Sequence, residues 1–387
     1  MHLALVTTYP PSQGTLVEYG AHLARVFVAK PEIERLTVLA DCLPKEMAAP
    51  PDPPNVRRVW TFGSPLNSLR LARTIQQLRP DGVIYNLQFA SFGGSAAPAA
   101  LGLLAPGMTR ALGIPTITLL HNLFETIDLR QAGYAQSPFK EQVLRAGGRL
   151  FTRLLLQSHL VATTMPTYVE ILRREYGAKN VFLAPHGAFE DPGPPPPLPE
   201  AKRVLAFGKF GTYKRLETLL EAHQLLLKRD PAVELVVAGT NSPNAPGYLE
   251  GLRAVYGDIP GVIYTGYVPE EEVAKVFSEA YVVAFPYTAT TGSSGVLHQA
   301  GQYARPAVMP RIGDLAELVE AEGYRAEFFS PGDAKGLAEA LWRLFSDREY
   351  AQQIGLANYR ASVGVLLEDV ADWYLLHFER LRRKYAH

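Results

Sequence analysis

The sequence predicts an α/β protein built from two doubly wound, parallel-sheet, Rossmann-like domains. Three observations carry this. Apolar runs rich in β-branched residues alternate with helix-period segments from Leu3 to Ala184, and the alternation starts afresh at Arg203. Between them lies DPGPPPPLPE at 191–200, a stretch that can propagate neither a helix nor a central strand. The length, 387 residues, exceeds what one hydrophobic core usually serves.

In the first half, taken as a domain over 1–192, strands are expected at 3–8, 36–40, 56–62, 82–87, 116–121, 160–164 and 181–184. Helices are expected near 16–28, 66–78, 142–157 and 168–176. The loop after the first strand carries Pro10, Pro11 and Gly14, and such a loop sits at the carboxyl edge of an open sheet, where ligands bind. Gly14 also suits a plain turn. His121 ends the strand TITLL and belongs at the same edge, either touching a ligand or serving as a hydrogen-bonded structural histidine. Glu125, four residues on, is a ligand candidate or a solvated loop carboxylate.

Within the helix at 142–157, Arg145, Arg149 and Arg153 recur every four residues, opposite Val143, Leu144, Leu150, Leu154 and Leu155. A basic amphipathic helix can rest on an anionic membrane, although a solvated outer face is the commoner cause of such a pattern. His186 and Gly187 mark a turn that closes the first half.

Residues 193–200 read as a semi-rigid linker into a second domain at 201–364. Its expected strands are 204–207, 233–238, 262–265, 282–285, 307–309 and 327–329, with helices near 216–227, 248–256, 270–280, 294–303, 314–320 and 334–345. The first strand runs into FGKFGTYKRLETLLEA, where Lys209 and Lys214 flank a glycine turn before a helix. Two ammonium groups there could clasp a diphosphate; surface lysines at a helix start would look the same.

The segment FPYTATTGSSGVLHQAGQYARPAVM, 285–309, passes from a strand through small residues into a helix. Gly292, Ser293, Ser294 and Gly295 would present backbone N–H groups at the helix start, a seat for phosphate, or simply form a turn capped by Ser293 or Ser294. A last helix in 365–387 carries Leu367, Val370, Tyr374, Phe378 and Leu381 on one face, so it needs a surface to cover and is expected to return to the first domain.

Composition narrows the partners. Lys+Arg and Asp+Glu both number 38, so nothing global argues for nucleic acid and any anion site is local. One cysteine, Cys42, allows no internal disulfide and suits a reducing cytoplasm. The N-terminus lacks the basic region of a signal peptide, and no apolar run approaches the roughly 18–20 residues of a membrane span, so any membrane contact is expected to be peripheral, at the inner face. There is no G-x-G-x-x-G after the first strand, no Walker P-loop and no Asp-x-Asp.

The succession GKFGTYKRLE, LVVAGT, VIYTGYVPEEEVAKVFSEAYVVAFPY, GSSGVLHQAGQYARPAV and IGDLAELV resembles the family 4 retaining glycosyltransferases of the two-Rossmann-domain, GT-B type. The resemblance implies two domains facing a central cleft and a metal-independent hexosyltransferase that needs no cofactor. Its donor would be a UDP-, GDP- or ADP-linked sugar, and its acceptor a hydroxyl of a glycan, a lipid-linked intermediate or a small molecule. It also implies that Lys209 and Lys214 hold the donor diphosphate, that amides of 292–295 receive the phosphates, and that Gly14 and Thr15 belong to a glycine loop. His121 would lie near the transferred sugar, and the segment from Gly313 to Glu317 would match a G-G-x-x-E loop with Asp314 at the second glycine. Thr291 and Gln299 stand where the family has the glutamates of its E-x7-E pair, and they can hydrogen-bond but carry no charge. Two other readings stay open: a sugar-nucleotide-binding subunit without catalysis, and a sugar-nucleotide epimerase of the same architecture.

Overall fold

All strand pairings in the two sheets of a computed structural model of the chain are parallel. The structure describes the chain except residues 13, 15, 45, 46, 48, 127–136, 243, 244, 290–293, 386 and 387, and except the side chains of 138, 140, 141, 143 and 385. The chain divides into two units: Met1–Thr126, Ser137–Phe189 and Leu367–His387 form one, and Glu190–Leu366 the other.

Unit 1 runs β1 (His2–Val6), α1 (Val17–Ala29), β2 (Arg35–Asp41), β3 (Val56–Trp60), α2 (Asn67–Leu78), β4 (Gly82–Leu87), α3 (Ala96–Gly102), α4 (Ala105–Ala111), β5 (Thr116–Leu120), α5 (Pro138–Leu155), β6 (Leu160–Thr163), α6 (Pro166–Tyr176) and β7 (Val181–Leu183). The sheet order is β3-β2-β1-β4-β5-β6-β7. Strands β4, β5 and β6 are buried along their whole length, which is why they read as unbroken apolar runs: helices cover both faces.

Unit 2 runs β8 (Arg203–Phe210), α7 (Glu217–Leu227), β9 (Glu234–Asn241), α8 (Tyr248–Tyr256), β10 (Val262–Gly266), α9 (Glu270–Glu279), β11 (Val282–Ala284), α10 (Gly295–Gln302), β12 (Ala307–Pro310), α11 (Gly313–Glu322), β13 (Ala326–Phe329), α12 (Ala334–Ser346) and α13 (Arg348–Val363). Its sheet order is β10-β9-β8-β11-β12-β13. An apolar core that includes Val204, Leu219, Leu235, Leu341 and Ile354 binds helices to one face of the sheet.

Three helices lie outside the sequence expectation. In α3 and α4, Pro98, Gly102, Pro106 and Gly107 look like loop residues, yet tertiary contacts hold the turns, among them Tyr85 Oη with Thr109 Oγ1 at 2.5 Å. The weakly amphipathic α13 is started by Asp347, whose carboxylate accepts the Tyr350 N–H at 2.9 Å, and is packed against α10. On α5, Leu150 does not lie opposite the arginines. It is 54% exposed and Phe139 is 76% exposed, on the same outward side as Arg149 and Arg153, while Gly148, Thr152 and Leu155 face inward.

The proline-rich segment is not an unattached spacer. Arg305 Nη2 donates to the carbonyls of Pro196 and Pro197 at 3.2 and 3.0 Å, Arg348 Nη1 to Pro199 O at 2.9 Å, and Tyr359 Oη to Gly193 O at 2.5 Å. A polyproline backbone makes no internal hydrogen bonds, so its carbonyls are available to these side chains of unit 2.

The C-terminal helix α14 (Leu367–Tyr385) belongs to unit 1. It packs against α1, and Val370, Tyr374 and Phe378 are buried. Lys30, itself buried, reaches Asp372 at 2.6 Å and Glu368 at 3.4 Å, which fixes the helix in rotation as well as in depth.

Candidate functional site

Open α/β sheets bind ligands outside the carboxyl ends of their strands, at the point where strand order reverses. That point lies between β1 and β4 in unit 1 and between β8 and β11 in unit 2. Most of the expected site residues within the described part of the chain fall next to these two points.

In unit 2, β8 extends through Lys209 to Phe210, so Lys209 stands in the strand, opposite Thr240, rather than in the following loop. The extension is possible because Gly208 faces Gly239 across the pair, with φ of 129° and 138°. A Cβ on Gly239 would lie 1.8 Å from the Gly208 carbonyl oxygen, and a Cβ on Gly208 would lie 2.8 Å from Lys214 Nζ. The Lys214 ammonium therefore crosses directly over the end of the strand.

The loop after β8 is stitched to the segment after β11. Lys214 and Tyr287 form an antiparallel bridge, the Arg215 N–H donates to Pro286 O at 2.9 Å, and the Thr288 N–H donates to Tyr213 O at 2.8 Å. Lys214 Nζ lies 5.0 Å from the centroid of the buried Tyr287 ring, a cation–π contact, and Tyr213 stands edge-on to the same ring at 5.7 Å. Arg215 is engaged elsewhere, with its Nε 3.3 Å from Glu217. Two loops far apart in sequence thus carry one cationic side chain to the approach of α10.

Helix α10 begins at Gly295 with Ser294 at its N-cap position, and the Ser294 side chain makes no capping bond. Gln299 follows one turn later, half-buried. From behind, Tyr324 Oη bonds His298 Nδ1 at 2.8 Å and Ser362 Oγ donates to His298 O at 2.9 Å, so α10 is held in place by the rest of unit 2. Glu317 is exposed on α11, while Asp314 is buried in its first turn. Thr291, Gly292 and Ser293 lie outside the described residues, as does Thr15 in unit 1.

In unit 1, the loop after β1 is pinned by Asp41, which accepts the Tyr9 N–H at 3.0 Å and the Ser12 hydroxyl at 2.5 Å, and by Arg58, which donates to Asp41 O and Pro10 O at 2.8 and 2.7 Å. Gly14 N–H donates to Ser12 Oγ at 3.2 Å. Helix α1 then passes so close to the end of β1 that a Cβ on Gly20 would stand 2.3 Å from Thr7 Oγ1. This approach inserts Tyr19 between two imidazoles, with ring centroids 4.6 Å from His121 and 4.7 Å from His186, while His22 stacks on Phe189 at 4.1 Å.

His121, at the end of β5, bonds Asn86 Oδ1 through Nε2 at 2.6 Å. Sequence reasoning found His121 but not its surroundings. The available signal was Asn86, a polar residue near the end of the otherwise apolar strand GVIYNL. Glu125 is committed to structure, accepting the Thr152 hydroxyl at 3.0 Å and that of Tyr176.

Burial, followed by the charge His186 would carry, holds the His121 imidazole well below its ordinary range. Burial likewise lowers His186 to about 4, although its bond with Gly187 O works in the other direction. Unfolded, both rings titrate near pH 6.5, so below that value the unfolded chain binds more protons than the fold. Stability is expected to fall as pH drops from about 6.5 toward 4, with His186 contributing roughly 3 kcal/mol over the window. Urea unfolding at several pH values checks this; His186→Gln should flatten the slope, and an unchanged slope would refute it.

Residues 201–347 match the family model described as glycosyl transferases group 1. An uncharacterized glycosyltransferase of Bacillus subtilis, YqgM, is 26% identical over 195 residues, 50% of this chain and 50% of that protein. An uncharacterized glycosyltransferase of Methanocaldococcus jannaschii is 29% identical over 154 residues, 39% of this chain and 38% of its own length. The chain thus spans about half the length, or less, of these curated relatives. Among solved structures, sucrose-phosphate synthase from Thermosynechococcus elongatus superposes with a TM-score of 0.73 at 19% identity, over 99% of this chain and 100% of that one. HepE of Anabaena in complex with UDP-glucose does so at 0.69 and 17%, over 98% and 100%. At these identities the likeness shows the fold, the two-Rossmann-domain GT-B architecture.

Proposed function

We propose that this chain is a glycosyltransferase that moves a sugar from a nucleotide diphosphate sugar to an acceptor hydroxyl, with retention of anomeric configuration. The observation that carries this reading is the content of the stretch matching the group 1 model: it holds the β8/β11 switch point, with Lys209 at the strand end and Lys214 on the loop stitched to the approach of α10.

As the anomeric bond breaks, negative charge builds on the leaving diphosphate. Groups that bind it more tightly in the transition state speed the step. Lys209, Lys214 and the amides at the start of α10 take that role in this reading, without an obligatory metal ion, in keeping with a sequence that has no Asp-x-Asp. Thr291 and Gln299 would address the donor sugar and ribose as neutral hydrogen-bonding groups, with Glu317 beside them, while Gly14, Thr15 and His121 would serve the sugar side. That HepE structures carry UDP and UDP-glucose makes a UDP-sugar the first donor to test.

The acceptor is proposed to be a glycan, a lipid-linked intermediate or a small hydroxylated molecule. A lipid-linked acceptor is favoured by one feature of α5, the exposed Phe139 and Leu150 beside Arg149 and Arg153, which fits an anionic bilayer surface. Cosedimentation with anionic vesicles, lost in Leu150→Asp, is the expected result; equal binding to zwitterionic vesicles would sink it.

Incubation with UDP-, GDP- and ADP-sugars, with and without acceptors and with and without chelator, tests the main reading. Acceptor-dependent release of nucleoside diphosphate supports transfer. A changed sugar without release would indicate an epimerase, and binding without either a silent subunit.

A further inference from the structure

Asn86 lies at the unit 1 switch point and joins three elements. Its Nδ2 donates to Thr7 Oγ1 at 2.9 Å, across 79 residues, and its Oδ1 faces His121 Nε2 at 2.6 Å. The Thr7 hydroxyl in turn lies 3.0 Å from the Thr8 carbonyl.

With the Thr7 hydroxyl bonded to Thr8 O, donor and acceptor accounting along this chain has one consistent solution. A carbonyl can only accept, so the Thr7 hydroxyl gives its single proton to Thr8 O. Toward Asn86 that hydroxyl has only a lone pair left, and the amide must offer it an N–H. The amide oxygen is thereby turned to His121, and an oxygen there requires a proton on Nε2. A neutral imidazole carries one ring proton, so Nδ1 keeps its lone pair. Tyr19, edge-on at 4.6 Å, fixes the plane of the ring, and His121 has no carboxylate in contact with it among the described residues.

We infer that Thr7 and Asn86 are positioning residues that lock His121 as the Nε2–H tautomer, so that its Nδ1 accepts a hydrogen bond from a hydroxyl of the transferred sugar. The functional half of this statement rests on the glycosyltransferase reading; the tautomer does not. A neutral histidine set this way presents the Nδ1 lone pair to an O–H donor.

The experiment is nitrogen NMR of the full chain with 15N-labelled histidine, the His121 signals being assigned by their loss in His121→Gln. At pH 7 the wild type should show Nε2 protonated and Nδ1 bare. Thr7→Val, nearly isosteric, frees the amide to flip and should give a mixture of tautomers. Asn86→Asp should keep the Nε2 proton and raise the titration midpoint of the ring. A wild-type ring protonated at Nδ1, or a Thr7→Val protein with the wild-type pattern, overturns the inference. In turnover, Thr7→Val should lower kcat about tenfold, with donor affinity changed far less. If the wild type turns over no sugar nucleotide, the glycosyltransferase reading fails while the tautomer measurement still stands or falls by itself.

Discussion

Lys214→Ala is expected to lower sugar-nucleotide turnover by about 10²- to 10³-fold, the usual loss when one preorganised group facing a developing anion is removed. The side chain is held over the end of β8 by the Tyr287 ring and by the backbone bridge between positions 214 and 287, so little reorganisation accompanies the reaction. Because the diphosphate gains charge as it leaves, the loss should fall more on kcat than on KM. Arg215→Ala, one residue on, removes an ion pair to Glu217 and should leave turnover within a few-fold of wild type. Steady-state kinetics of both variants decide the matter, and a Lys214→Ala enzyme as fast as its parent would end the diphosphate assignment.

Gly239→Ala is expected to cost more than about 4–5 kcal/mol, enough to unfold unit 2. Two effects add. The new methyl would sit 1.8 Å from the Gly208 carbonyl oxygen, a backbone atom that cannot step aside without parting β8 from β9, and φ at 239 is 138°, where L-residues rarely go. Gly251→Ala is the control. Its position on the exposed side of α8 is open, and the change should stabilise by roughly 0.5–1 kcal/mol through helix propensity. Denaturant unfolding of the two variants should therefore move in opposite directions; a soluble Gly239→Ala protein of wild-type stability would contradict the close strand pairing.

The pair of substitutions also marks how far local pattern reaches. Buried parallel strands are legible because both faces are covered, so GVIYNL and TITLL are unmistakably strands. The helices α3, α4 and α13 were not legible, since prolines, glycines and a weak apolar stripe hide turns that neighbours stabilise. Lys209 reads as a loop residue because two glycines bracket it; only pairing with β9 shows that the strand continues. The proline-rich segment reads as a spacer, and only the side chains of Arg305, Arg348 and Tyr359 show that unit 2 holds it.

The same division runs through the site. From the sequence alone came two Rossmann-like halves, the carboxyl-edge position of His121, the lysine pair and the helix that begins at Gly295, because periodicity and local spacing encode them. Tertiary structure alone decided which strands adjoin at the switch points, that Lys214 meets Tyr287, and that Thr7, Asn86 and His121 form one chain of hydrogen bonds. Those contacts join residues 35 to 79 positions apart in the histidine chain. Their geometry depends on strand order and on how closely a helix can approach a strand, quantities that no local stretch of residues contains.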